Sequence, residues 1–183
     1  AKAIESHIPF WNVVQASGHL KYRNPSAADL RFQAYATAAY GGRGVAYFTY
    51  KAYPVGNYSG AAVDQYGNET ETWKWLQNTN MQIKTLGPWL MKLRSDDVYH
   101  FGKIPPAGHG PSATSLVKTD EDGTRYVLIV RKDLDKSDIC DPRFRDESTT
   151  VQKVSVFSGE IVPMNYDEQF LLPGQGMLLK LGK

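Results

Sequence analysis

Along the first half of the chain, hydrophobic positions recur with the periods of a strand, a helix and a second strand. PFWNVVQAS (9–17) is a near-continuous apolar run opened by Pro9. Such runs suit parallel strands buried on both faces, and proline is tolerated where a strand begins because its missing N–H need not join the ladder. In NPSAADLRFQAYATAAYGG (24–42), Leu30, Ala34 and Ala38, and likewise Phe32, Tyr35 and Ala39, recur at helical spacing. Ser26 followed three residues later by Asp29 reads as a capping box. Gly41-Gly42 reads as the helix stop, since glycine takes the left-handed conformation without strain. Val45 to Tyr50 is rich in aromatic and β-branched residues and reads as the second strand. Two parallel strands joined by a helix form a βαβ unit, whose ligands collect where the strands end. Here those ends are Gln15-Ala16-Ser17 and Thr49-Tyr50.

A long loop, Lys51 to Glu69, follows, with a turn at Asp64 to Asn68. Loops of this length inside a compact domain carry function more often than short ones. Thr70 caps a second expected helix, Glu71 to Leu86, which Gly87-Pro88 should break before a short helical turn through Lys92. From about Asp97 the texture changes to short strand-like runs: VYHF, ATSLVK, RYVLIVRK, VQKVSVF and GMLLKL. Gly, Pro and Asp separate them, EDG (121–123) signals a hairpin turn, and PPAGHGP (105–111) reads as a loop. The expected fold class is α/β plus all-β. A partial (β/α) barrel-like βαβα unit spans 1–95, and a small antiparallel β-sandwich spans 96–183.

Composition narrows the function classes. With 183 residues and 42% hydrophobic content the chain can build a core. The net charge of +2 comes from scattered Lys, Arg, Asp and Glu, with no basic stripe, so nucleic acid is not an expected partner. No apolar stretch is long enough to span a membrane as a helix, and the N-terminus lacks a signal-peptide pattern. The lone Cys140 permits neither an internal disulfide nor a cysteine zinc cluster, which favours a cytoplasmic over a secreted setting. An N-terminus without Met that enters a strand almost at once suggests a processed or truncated chain, or descent from the tail of a longer protein. His7, His19, His100 and His109 lack metal-ligand spacing, so neither a metal nor a cofactor is expected. There is no GxSxG elbow, phosphate loop or GxGxxG, and GGRG (41–44) follows a helix rather than a strand.

The excess is aromatic: 11 Tyr, 7 Phe and 4 Trp, many in the first half. Tyr and Trp offer an apolar face and a polar edge, which suits a sugar ring, although the plain reading of any one of them is core. The candidate acids are Asp64 and Glu69, with Glu71 nearby. Two carboxylates about 5–9 Å apart can hydrolyse a glycosidic bond. The competing reading is that Asp64 forms a turn and the glutamates decorate a helix N-terminus. Glu160 reads as a turn residue, and Asp133, Asp135 and Asp138 as a solvated loop.

At PFWNVVQAS, LRFQAYATAAYGGRGVAYFTY and AAVDQYGNETETW the chain resembles the last part of a (β/α)8-barrel glycoside hydrolase, nearest the β-galactosidase-like families of the retaining clan. VLIVRKDLDKS, VSVFSGE and LLPGQGMLLKL resemble the β-sandwich such hydrolases append. The resemblance implies action on β-linked galactosides or glucosides, with Gln15, His19, Tyr22, Arg23, Tyr50, Tyr53 and Tyr58 lining the substrate. In that family the nucleophile is a Glu at the end of the seventh strand, where this chain has Val14-Gln15. The acid/base Glu comes from an earlier strand that this chain does not contain. The family's pair therefore maps to no residue here, and Asp64 and Glu69 stand as the candidate acid and nucleophile. Phe48 is expected in the core. Two barrel strands alone expose edges and apolar faces, so copies of the chain are expected to associate through them and complete the site. Two other readings remain open: a carbohydrate-binding or accessory protein without turnover, which Gln15 favours, and a fragment that folds without independent function.

Overall fold

The computed structural model describes residues 6, 8–100, 113–119, 122–142, 149–165 and 169–182. The loop expected at 105–111, Glu121 of the expected turn, His7 and His109 lie outside the described residues. Strands β1 (Trp11–Gln15) and β2 (Gly44–Phe48) pair in parallel, with Trp11 opposite Gly44 and Gln15 opposite Phe48. Helix α1 (Ala27–Ala39) connects them. Its capping box forms as expected: Ser26 Oγ accepts from the Asp29 N–H, and the Asp29 carboxylate accepts from the Ser26 N–H. Gly41, at φ 82°, takes the left-handed conformation that ends the helix.

Helix α2 (Glu71–Lys92) departs from expectation by running through Gly87 and Pro88 without a break. A proline removes one helical N–H and crowds the preceding turn, but tertiary packing holds the last turn in place. Leu86 and Leu93 are fully buried. Trp89 Nε1 donates to the Gly159 carbonyl at 2.8 Å. Arg43 Nη1 donates to the carbonyls of Leu90 and Met91 at 2.8 and 3.2 Å, which lie in the turn that has no intrahelical donors left.

Both helices lie on one face of the β1–β2 pair. Asn12 Nδ2 donates to Thr37 Oγ1 of α1 at 2.9 Å, and Tyr47 Oη donates to Asn80 Oδ1 of α2 at 2.6 Å. Period-two alternation sends Trp11, Val13 and Phe48 to the opposite face. There they are 69%, 67% and 40% exposed. Phe48 is thus not the core residue it was expected to be: both helices lie on the other face, and only rings of the loops beyond the strands lie against it. The pair is a section of a barrel-like α/β unit rather than a closed sheet.

The second half is antiparallel. Strands β3 (Arg94–His100), β4 (Ala113–Thr119), β5 (Arg125–Arg131), β7 (Thr150–Val154), β8 (Ile161–Pro163) and β10 (Gly176–Gly182) form one sheet in the order β3-β4-β5-β10-β7-β8. Strands β6 (Asp138–Ile139) and β9 (Phe170–Leu171) pair separately. The expected division between 95 and 96 falls within β3.

Strand β5 shows how the large sheet is covered on both faces. Tyr126, Leu128 and Val130 point to the helices, where they meet Tyr35, Ala38, Leu86 and Leu93. Val127 and Ile129 point the other way, to Cys140 and Leu171 of the small sheet. Burial, reinforced by the charge of Asp141, pushes the Cys140 thiol up to about 11, so it acts as a core side chain rather than a nucleophile. Tyr35 sits where helices and sheet meet. It is fully buried, its hydroxyl donates to Gln82 Oε1 at 2.8 Å, and its ring fills the space left by the missing Cβ of Gly176.

Candidate functional site

The strand ends carry two loops that are laced together. The first, residues 17–24, turns back on itself through reciprocal bonds between His19 and Tyr22: His19 N–H to Tyr22 O at 3.2 Å and Tyr22 N–H to His19 O at 2.8 Å. At the tip Leu20 has φ 52°, a left-handed conformation uncommon for a branched residue. The side chain of Asn57 in the second loop secures it, accepting from the Leu20 N–H at 2.6 Å and donating to the Leu20 carbonyl at 2.8 Å. Gly18 and Ser59 exchange backbone bonds at 2.9 and 3.0 Å, and Ser59 Oγ donates to Asn24 Oδ1 at 2.8 Å. Asn24 lies so close that a Cβ at Gly18 or Gly60 would collide with its side chain, so the lacing depends on both glycines.

This lacing gathers five rings. His19 stacks on Tyr58 with centroids 5.4 Å apart and planes within 8°. Tyr22 and Phe48 each lie 5.1 Å from His19. Tyr53 meets Tyr58 edge-on at 5.0 Å, and Phe48 lies 6.3 Å from Tyr58. Much of this aromatic surface faces solvent: Tyr22 is 63% and Tyr53 53% exposed. His19 Nδ1 is 3.1 Å from the Ser17 carbonyl. A carbonyl only accepts, so Nδ1 is the donor of that bond, and Nε2 is the ring nitrogen left to meet a ligand.

The candidate residues divide into those the loops bring together and those they do not. His19, Tyr22, Tyr53 and Tyr58 form the cluster. Tyr50 stands apart, T-shaped against Trp73 at 5.7 Å. Arg23 grips Asp29 with both guanidinium nitrogens, at 2.7 and 2.8 Å. Gln15 Nε2 donates to the carbonyls of Ser17 and Arg23 at 3.1 and 2.6 Å. Asp64 accepts from the Tyr66 and Asn68 N–H groups and from Asn68 Nδ2, at 2.8 to 3.0 Å. Those bonds, the one from the Asn68 side chain foremost, hold its carboxyl below the usual range. A general acid needs the opposite shift. Glu69 is exposed and pairs through its backbone with Val63. Among the described residues no group of three or more His, Cys, Asp and Glu side chains is placed to hold a metal, and no helix is long and apolar enough to cross a membrane.

Sequence reasoning missed Phe48, Asn57 and Asn24. Their signal was the Asn-x-Ser-Gly-like polarity of the loops (Asn57-Tyr58-Ser59-Gly60), which reads as turn chemistry until the partner loop is known. A separate cavity of about 170 Å³ lies at the start of β2, between α1 and α2, lined by Thr37, Val45, Tyr47, Asn80, Ile83 and Leu90. It does not include the ring cluster.

Asp29 links this region to stability. Partial burial opposes its ionisation, but the bonds from Arg23 and from Ser26 outweigh it and hold the carboxyl below its ordinary 3.8. A depressed folded-state pKa contributes stability that is present above the unfolded value and lost as pH falls through the folded one. Asp29→Asn is expected to lower Tm at neutral pH. The gap from wild type should narrow as pH falls below the ordinary carboxylate value and through the depressed folded-state one, as thermal melts across pH will show.

No protein-family model matches the chain, and no curated protein matches it. Among solved structures, the chain is similar in fold to a provisionally assigned alpha-N-acetylgalactosaminidase from Bacillus halodurans C-125. The identity is 15% and the TM-score 0.42, over 88% of this chain and 32% of that one. The chain thus spans about a third of the length of that structure. The likeness is distant.

Proposed function

We propose that this chain binds the pyranose ring of a galactoside or glucoside on the aromatic surface at the ends of β1 and β2. It does so as a carbohydrate-binding unit built on a partial barrel of the glycoside-hydrolase type. The observation that carries this reading is the ring cluster of His19, Tyr22, Phe48, Tyr53 and Tyr58, with centroids 5.0 to 6.3 Å apart. A pyranose with mostly equatorial hydroxyls presents a C–H face that lies on such rings, while its hydroxyls remain at the edge. The phenol groups and His19 Nε2 are the polar groups that orient them.

A second reading keeps hydrolysis of a β-linked galactoside or glucoside, with Asp64 as acid and Glu69 as nucleophile. The aromatic surface serves that reading equally, but the turn bonds on Asp64 favour binding without turnover by this chain alone. Asp64→Asn and Glu69→Gln are expected to keep wild-type affinity for a nitrophenyl galactoside or glucoside in calorimetric titration, and wild type is expected to release no nitrophenol. Release by wild type that both variants abolish would establish the second reading instead.

A further inference from the structure

We propose that Gln15 is a positioning residue, which sets the aromatic surface by clamping the two ends of the loop that bears His19 and Tyr22. This rests on the carbohydrate-binding reading for its consequence, though not for its geometry. Both protons of the Gln15 side-chain amide are committed: one to the Ser17 carbonyl at 3.1 Å, the other to the Arg23 carbonyl at 2.6 Å. Ser17 and Arg23 bracket the loop, and the Ser17 carbonyl also takes the His19 Nδ1 proton at 3.1 Å. The clamp therefore reaches the ring at the centre of the cluster through one shared oxygen.

Gln15 is itself held from behind. Gln33 of α1 accepts from the Gln15 N–H at 2.8 Å and donates to the Gln15 carbonyl at 3.0 Å, bridging also to the Asp29 carbonyl at 3.2 Å. The Ala16 N–H bonds to the Phe48 carbonyl of β2 at 2.7 Å, so Gln33 occupies the other edge of β1, as a further strand would. Two glutamines thus relay the position of α1 to the strand end and from there to the loop.

The clamp requires two donors, and this separates glutamine from its isosteres. A carboxylate at this position only accepts, so both loop carbonyls lose a donor and face a negative charge. A protonated carboxyl recovers one O–H donor. A methionine supplies neither donor nor charge at any pH.

At neutral pH Gln15→Glu and Gln15→Met are each expected to raise amide hydrogen exchange across residues 17–23 and to weaken binding of a nitrophenyl pyranoside about tenfold or more. Tm should stay close to wild type, because the loop lies outside the Tyr35 core. As pH falls through the ordinary glutamic range, about 4 to 5, the loop protection and affinity of Gln15→Glu should recover partway while Gln15→Met stays low. The titratable and charged groups around the clamp are His19, Tyr22 and Arg23 on the loop, Asp29 on α1, and Asp135, whose charge acts on Arg23; Phe48, opposite Gln15 on β2, is uncharged. All are common to wild type and variants, so the ratio of variant to wild type isolates the introduced carboxyl.

Sugar binding by wild type with loop exchange and affinity unchanged in both variants would overturn the positioning role and leave the carbohydrate reading standing. Loop exchange that rises in both variants while wild type binds no pyranoside would support the clamp and overturn the carbohydrate reading. Equal losses in Gln15→Glu at every pH would contradict the donor argument.

Discussion

Replacing Tyr35 with alanine is expected to destabilise the fold by about 3–5 kcal/mol, the cost of deleting a large buried aromatic side chain. Small domains are stable by only about 5–15 kcal/mol, so the variant should stand near the edge of folding. The size of the effect follows from position. Tyr35 lies in a cluster that joins α1, α2, β5, β7 and β10. Its ring lies against Gly176, so removing it opens a void beside a residue that has no side chain of its own. The hydroxyl adds a second loss, because Gln82 is buried and its Oε1 accepts from Tyr35 at 2.8 Å. Tyr35→Phe removes that bond alone and is expected to cost about 1–3 kcal/mol. Urea unfolding monitored by circular dichroism checks both, and a loss below about 1 kcal/mol in Tyr35→Ala would show that helices and sheet are not held through this residue.

Replacing Tyr58 with alanine is expected to weaken pyranoside binding by about 1–2 kcal/mol, roughly 5- to 30-fold. Tyr58 is central to the cluster, touching His19, Phe48 and Tyr53. Its removal takes away one stacking face and also frees the His19 ring, so the loss exceeds that of a rim aromatic. Tyr50→Ala is the matched control. That ring packs on Trp73 instead, and its loss should leave affinity within about twofold. Equal effects of the two substitutions would place the sugar elsewhere.

Much of the scaffold was legible in the chain because local signals agreed with tertiary structure. Ser26 and Asp29 form the capping box their spacing announces, and Gly41 ends α1 in the left-handed conformation. RYVLIVR, read as a strand-like run, forms β5, and its successive apolar residues divide between the two faces of the large sheet. What failed was set by distant partners. Pro88 reads locally as a helix break, yet α2 continues because Trp89 bonds Gly159, seventy positions away, and Arg43 takes up carbonyls near the helix end. Phe48 reads as core because its strand is apolar, but both helices chose the other face.

The site shows the same division. That aromatic residues would gather at the strand ends could be read from the order of elements. Which ones gather depends on the lacing of Gly18 to Ser59 and of Leu20 to Asn57, pairings between separate loops that no periodicity announces. Gln15 illustrates the limit most clearly. Sequence marks it as standing where a resembling hydrolase keeps its nucleophile, while the geometry commits its amide to two loop carbonyls.

The central claim is that the ring cluster is a sugar-binding surface. The direct test is to titrate isotope-labelled protein with methyl galactoside and methyl glucoside and follow the side-chain resonances of His19, Tyr22, Tyr53 and Tyr58. Saturable shifts confined to those rings and the loops that bear them, with Tyr35 and the β-sheet unmoved, are the predicted result. Saturable shifts elsewhere, or none at either sugar up to the solubility limit, would contradict it.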